Sequence, residues 1–157
     1  MNERLSSAIN TWAFNYALKG LSFSSRGNTD FRTYKDKKGI VWYVTPFFAA
    51  RPASNDVHVR GMEMEAFPLL DKGFDFEGYE HLTDTGMVLQ TGTNHGKVKL
   101  HVFKAKDGTE VHLCDDLIKP VIKYCPHFMC NTNDSDPVLI LDEEMNLIAV
   151  AARRTNR

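Results

Sequence analysis

The chain has 157 residues, a formal net charge of −1 at pH 7 and 43% hydrophobic residues, an ordinary composition for a globular domain. No stretch approaches the roughly 18 to 20 consecutive apolar residues of a membrane span, and the N-terminus lacks the basic and apolar pattern of a secretory leader. We therefore expect neither membrane insertion nor secretion. Direct binding to nucleic acid is also not expected, because such proteins usually carry a clear excess of basic residues.

The charge is distributed unevenly along the chain. Residues 1–60 contain nine Lys and Arg against four Asp and Glu, whereas residues 61–157 contain ten against sixteen. Seven acids lie between Gly61 and Gly86, where Lys72 is the only basic residue. This acidic stretch is the most unusual feature of the sequence.

The N-terminal part of the sequence predicts a helix followed by a hairpin. Apolar residues at helical spacing predict an amphipathic helix over residues 3–19, with Asn2 as its cap and Gly20 as its stop signal. Phe31–Tyr34 and Ile40–Phe48 are rich in aromatic and β-branched residues, and a Lys-Asp-Lys-Lys-Gly turn separates them. That pattern is typical of a β-hairpin.

The middle of the chain predicts strands on either side of a long loop. The apolar positions of 57–64 predict a strand with an irregularity at Gly61. Phe67–Glu80 fits neither the helical nor the strand period, so we expect a long, partly ordered loop there. Three consecutive antiparallel strands are then expected, the last two joined by an Asp-Gly turn: Met87–Gln90, Val98–Phe103 and Glu110–Cys114.

The C-terminal part predicts a short helix and a final hairpin. Asp115 or Asp116 is expected to cap a helix with apolar residues from Leu117 to Tyr124, which Pro126 ends. The hairpin strands are Val138–Leu141 and Leu147–Ala151. Together, these elements predict a single α+β domain over residues 1–157, with a mostly antiparallel sheet, an N-terminal amphipathic helix and a short helix in the C-terminal half.

The densest group of possible metal ligands contains all three cysteines. Their odd number, in a chain large enough to fold without disulfides, favours a reducing cytoplasm. Zinc would require four thiolates or imidazoles at tetrahedral geometry, but the spacing here is not that of a zinc knuckle. We therefore favour a thiol-lined core and expect neither a metal nor a cofactor. The group is His112, Cys114, Cys125, His127 and Cys130.

Two other motifs are similar to elements that bind or hydrolyse phosphates. His81-Leu-Thr83 is similar to one of the paired H-x-T elements of 2H phosphoesterases, in which two histidines act as acid and base. Its partner here would be His112-Leu-Cys114, which carries a thiol in place of the hydroxyl. A phosphoesterase or hydrolase using His81, His95 or His112 is therefore an alternative function. Thr91–Lys97 departs from a phosphate-binding loop in spacing and is better explained as a hairpin turn.

The carboxylates of Glu63, Glu65 and Asp71 could form a hydrolase or divalent-metal set. The alternation Met-Glu-Met-Glu is more simply explained by a strand whose methionines point inward and whose acids face water. No calcium-type loop gathers the oxygens, so the strand interpretation is preferred.

A second alternative comes from a resemblance. The segments Asp107–Lys123 and Pro137–Arg153 resemble the strand, helix and hairpin that end a bacterial sliding-clamp repeat. The resemblance covers about a third of the chain, which lacks that family's threonine–aspartate–glycine–histidine run and its closing methionine–proline. It implies a DNA-processing accessory that assembles into a ring and makes a salt-sensitive contact with DNA.

The preferred function is non-catalytic binding to another protein through the acidic, aromatic segment. Aromatic residues among acids either fold back onto the core or anchor a partner, and exposed ones would suit a partner with a basic surface. Small domains of this composition are common among phage and mobile-element regulators and inhibitors. The residues expected to bind the partner are Glu63, Glu65, Asp71, Phe74, Asp75, Phe76, Glu77, Tyr79 and Glu80.

Overall fold

A computed structural model describes residues 1–23, 30–71, 77–93, 96–133 and 135–154. The chain forms two compact units, Met1–Asp75 and Phe76–Arg157. Both combine helix with predominantly antiparallel strands, so the predicted α+β class is confirmed. The single domain over residues 1–157 stays a prediction.

The first unit packs a long helix with four short strands. The strand order is β4-β1-β2-β3, in which β4 runs parallel to β1 and the other pairs are antiparallel. Leu5, Ile9 and Ala13 place one face of the helix in the core. The elements are α1 (Glu3–Phe23), β1 (Arg32–Lys35), β2 (Val41–Val44), β3 (Phe48–Ala50), β4 (Met62–Glu63) and α2 (Pro68–Asp71).

The start of α1 is as predicted, but its end is not. The Asn2 side-chain oxygen accepts hydrogen bonds from the backbone N–H groups of Arg4, at 2.8 Å, and Leu5, at 3.4 Å, as an N-cap does. The helix then continues through Gly20 to Phe23, so the predicted stop is wrong. A glycine inside a helix costs only about 1 kcal/mol relative to alanine, which does not by itself end the helix.

Two predicted strands of this unit are shorter than expected. The predicted strand Ile40–Phe48 is instead divided between β2 and β3. Pro46 has no N–H to pair with a neighbouring strand, and the Thr45 N–H donates to the Phe48 carbonyl oxygen at 2.9 Å, which forms a turn. In the predicted strand over 57–64, only Met62–Glu63 pairs with a neighbour. The predicted loop Phe67–Glu80 contains α2 and the first residue of a further strand.

A polar network fixes the loop before β4 against α1. The Ser6 hydroxyl donates to Asp56 Oδ2 at 2.7 Å, and the Asn10 side-chain amide donates to the Asp56 carbonyl oxygen at 2.6 Å. The fully buried Tyr43 donates its hydroxyl proton to Asn10 Oδ1 and accepts from the His58 N–H at 3.1 Å. These bonds satisfy backbone groups that the strand pairing of β4 does not reach.

The second unit contains seven of the described strands in two antiparallel sheets, ordered β6-β7-β8 and β11-β10-β9-β5. The predicted bounds of β8, β10 and β11 are confirmed, whereas β5 and β9 were not predicted. The elements are β5 (Glu80–His81), β6 (Thr83–Thr93), β7 (Gly96–Lys104), β8 (Glu110–Cys114), α3 (Asp115–Ile122), β9 (His127–Cys130), β10 (Val138–Leu141) and β11 (Leu147–Ala151).

The predicted capping of α3 is wrong. Cys114 occupies the N-cap position without a side-chain hydrogen bond, and Asp115 and Asp116 are the first helical residues. Carboxylates in a first helical turn are stabilised by the helix dipole without acting as caps. The Asp115 carboxylate instead lies 3.5 Å from Nδ1 of His101. Pro120 is inside the helix, which ends two residues later at Ile122.

Candidate functional site

The first part of the predicted binding segment lies on the edge strand β4. Glu63 and Glu65 are exposed, and neither carboxylate has a hydrogen-bond or ion-pair partner among the described residues. Met62, expected to point inward, is instead 69% exposed, because β4 pairs over only two residues. Met64 is half-buried, and its N–H donates to the Thr33 carbonyl oxygen at 2.9 Å. The strand and the residues just beyond it therefore expose one methionine and two acids, and the acids have no partner in the described part of the chain.

Asp71 is held within the first unit. Its carboxylate accepts a hydrogen bond from the Tyr34 hydroxyl and another from the Phe67 N–H at 3.1 Å. The bond to Asp71 raises the pKa of Tyr34, because it stabilises the protonated phenol. The Phe67 ring packs edge-on against Tyr34 with ring centroids 5.9 Å apart. Asp71 and Phe67 thus stabilise the turn that contains α2.

The remaining predicted binding residues belong to the second unit or lie outside the described residues. Phe74, Asp75 and Phe76 are not among the described residues. Glu77 is exposed, whereas Tyr79 and Glu80 are half-buried. Burial, and then the negative charge of Asp136, raise the pKa of Tyr79. Of the described aromatic residues in the segment, Phe67 and Tyr79 are therefore partly withdrawn from solvent.

Three of the five described histidines are held by carboxylates. The bonds differ in burial, since His101 and His112 are buried and His58 is exposed. The pairs are His58 Nε2 with Asp56 Oδ1 at 2.5 Å, His101 Nε2 with Asp84 Oδ1 at 2.6 Å, and His112 Nε2 with Glu110 Oε2 at 3.0 Å. In each of these histidines, one ring nitrogen is therefore already bonded to a carboxylate.

The other two described histidines lie side by side. His81 on β5 and His127 on β9 have ring centroids 5.4 Å apart, with planes inclined by 63°. A pairing of His81 with His112, one form of the phosphoesterase alternative, is not found among the described contacts, where His112 contacts Glu110. His95, the third histidine of that alternative, lies outside the described residues. Sequence spacing could not have found the pair, because it depends on the β5–β9 pairing.

The cysteine-rich group does not form a metal site in the described part of the chain, where no three His, Cys, Asp or Glu side chains are grouped to hold an ion. None of the three cysteines is in a disulfide; Cys125 and Cys130 are buried and Cys114 is half-buried. Burial, followed by the charge of Asp142, raises the pKa of Cys125 to about 12. That thiol is therefore neutral and a poor nucleophile at physiological pH.

The hairpin of β6 and β7 has an exposed outer strand that we did not predict as a surface feature. β6 is an end strand of its sheet, and no described strand pairs with its other side. Met87 is 49% exposed and Val88 is 45% exposed. The signal was available in the sequence, since Thr85–Thr93 contains no charge and no proline. The antiparallel strands on either side of residues 94–95 agree with a hairpin rather than a phosphate-binding loop.

Comparison with known proteins does not assign the chain to a family. No family model, curated protein or solved structure matches it. Within the described residues, no helix combines the length and apolar character needed to cross a bilayer.

Proposed function

We propose that the chain is a non-catalytic protein-binding domain that acts through its acidic segment. The observation that carries this proposal is the exposure of Met62, Glu63 and Glu65 at and just beyond the edge strand β4, with both carboxylates unpaired among the described residues. Methionine is enriched in protein interfaces, where its flexible, polarisable side chain fills an apolar pocket on a partner. Surrounding polar residues then form the rim of the contact.

The two acids define the kind of partner. Exposed carboxylates close in the chain to an exposed apolar side chain favour a partner surface that offers both an apolar pocket and Lys or Arg. Such charges accelerate association and lose their effect as salt screens them. The partner of this proposal is therefore a basic protein. Three cysteines that form no disulfide support a reducing, cytoplasmic location for the interaction.

Quantitative affinity capture tests the proposal with a matched control. The wild-type chain, Met62→Ser with Glu63→Gln and Glu65→Gln, and a control with Glu143→Gln and Glu144→Gln are compared as baits. The control also removes two exposed acids, but from the β10–β11 turn of the other unit. We expect at least one basic protein to be retained by the wild type and the control and lost from the triple variant.

The captured protein is then purified and titrated against the three baits. We expect the triple variant to weaken binding at least tenfold, and the wild-type affinity to fall as salt rises from 50 to 500 mM. Equal binding by all three baits would refute a role for the β4 surface. Hydrolysis of a generic phosphodiester by the wild type, abolished by His81→Ala, would instead favour the phosphoesterase alternative.

A further inference from the structure

His81 and His127 are brought together by strand pairing. β5 and β9 are antiparallel, with His81 opposite Met129, so His127 is its diagonal neighbour on the same face. The ring centroids are 5.4 Å apart. His81 is exposed and His127 half-buried, so water and small ions reach the pair.

The pair differs from the other described histidines in its bonding. His58, His101 and His112 each have a carboxylate oxygen within 3.0 Å of a ring nitrogen. Among the described residues, neither His81 nor His127 has a side-chain hydrogen bond or ion pair, and their ring contact is with each other. Two adjacent imidazoles are therefore left with ring nitrogens available to a ligand.

The separation of the rings fits a shared metal ion. Two imidazoles bound to one tetrahedral ion, with metal–nitrogen bonds of about 2.0 to 2.1 Å, have ring centroids roughly 5 Å apart. The observed centroid distance of 5.4 Å is close to this value. We propose that the adjacent imidazoles of His81 and His127 form a two-histidine site for a divalent transition-metal ion of the zinc class.

The surroundings determine what else such an ion would bind. The cross-strand neighbours on this face, Met129 opposite His81 and Leu141 opposite His127, are buried and apolar. They supply no oxygen or nitrogen ligand. β5 is also the end strand of its sheet in the described part of the chain. The remaining coordination positions are therefore open to water or to a carboxylate or imidazole from another molecule.

Calorimetric titration with zinc chloride tests the site on the full chain. We expect one ion per chain, bound at least tenfold more weakly by His81→Ala and by His127→Gln, since either change leaves a single imidazole. The zinc affinity of the double variant should lie within twofold of that of the single variants. The two rings act as one chelate, so losing the second ring adds little. His58→Gln is the control, because His58 is also exposed but lies in the other unit beside Asp56.

A second readout locates the ion. Cobalt(II) should broaden the NMR signals of the His81 and His127 rings and of the backbone of β5 and β9 before it affects other residues. A loss of less than tenfold in either single variant, in chains with wild-type melting temperatures, would overturn the proposal. Broadening centred on the cysteines or on His112 would overturn it as well. The test is independent of the protein partner, because it needs only the ion.

Discussion

The buried hydroxyl of Tyr43 provides a quantitative test of how the first unit is held together. Its ring is fully buried, and its hydroxyl donates to Asn10 while accepting from the backbone N–H groups of His58 and Val59 at 3.1 and 3.3 Å. Burial raises the pKa of Tyr43, so the hydroxyl remains a donor at neutral pH. The Tyr43→Phe variant retains the ring and removes only these bonds.

The expected cost follows from the groups left without partners. The His58 N–H still has Asn10 Oδ1 at 3.4 Å, whereas the Val59 N–H loses the hydroxyl that accepts from it. A buried donor without an acceptor costs about 1 to 3 kcal/mol. We therefore expect Tyr43→Phe to lower the free energy of unfolding by about 2 kcal/mol, and Tm by roughly 4 to 8 °C for a chain of this size.

Tryptophan fluorescence during urea unfolding measures this effect in the correct unit, because Trp12 and Trp42 both lie in the first unit. Tyr124→Phe is the control, since the Tyr124 hydroxyl has no hydrogen bond among the described residues. We expect the control to change the free energy of unfolding by less than about 0.5 kcal/mol, because it removes no hydrogen bond found among the described residues. A Tyr43→Phe variant as stable as the control would refute the role assigned to the network.

Three further predictions concern single sites. The Cys125 thiol, whose pKa burial raises to about 12, should react with Ellman's reagent at pH 8 only after unfolding in guanidinium. Hydrogen bonds from Ser6 and then His58 lower the pKa of Asp56, so its stabilising effect is present at neutral pH and lost on acidification. Tm measured from pH 5 down through 3.8, the ordinary aspartate value, should therefore fall more steeply in the wild type than in Ser6→Ala. Gly61→Ala would place a methyl carbon 2.6 Å from the buried Phe31 ring, so chemical denaturation should show a loss of about 1 to 3 kcal/mol, and an unchanged midpoint would contradict this packing.

The elements predicted most accurately are those specified by neighbouring residues. Both ends of β8 were predicted correctly, because an Asp-Gly turn precedes the strand. In the structure, Gly108 adopts the positive φ of 86° that such a turn requires. The apolar runs of β10 and β11 are equally local, and four consecutive residues of each strand are buried. Local chemistry and tertiary packing agree at these positions.

The elements that were missed depend on distant residues. β9 is a four-residue strand whose sequence, His-Phe-Met-Cys, does not alternate apolar and polar residues and so carries no strand period. Ser6 and Asp56 are 50 positions apart, and no sequence period links them. The same is true of His81 and His127, whose contact depends on the register of β5 with β9. Long-range register was the information that sequence patterns did not contain.

The outer edge of β6 has a practical consequence for handling the protein. Natural edge strands are usually interrupted by lysine, proline or a bulge, which keeps molecules from joining through their backbones. Beyond the irregularity between Asp84 and Val88, this strand runs to Thr93 with no charged side chain. Edge-to-edge pairing of β6 strands from different molecules should therefore limit the solubility of the protein. Gln90→Lys, at an exposed position of this strand, should raise the concentration at which the protein aggregates.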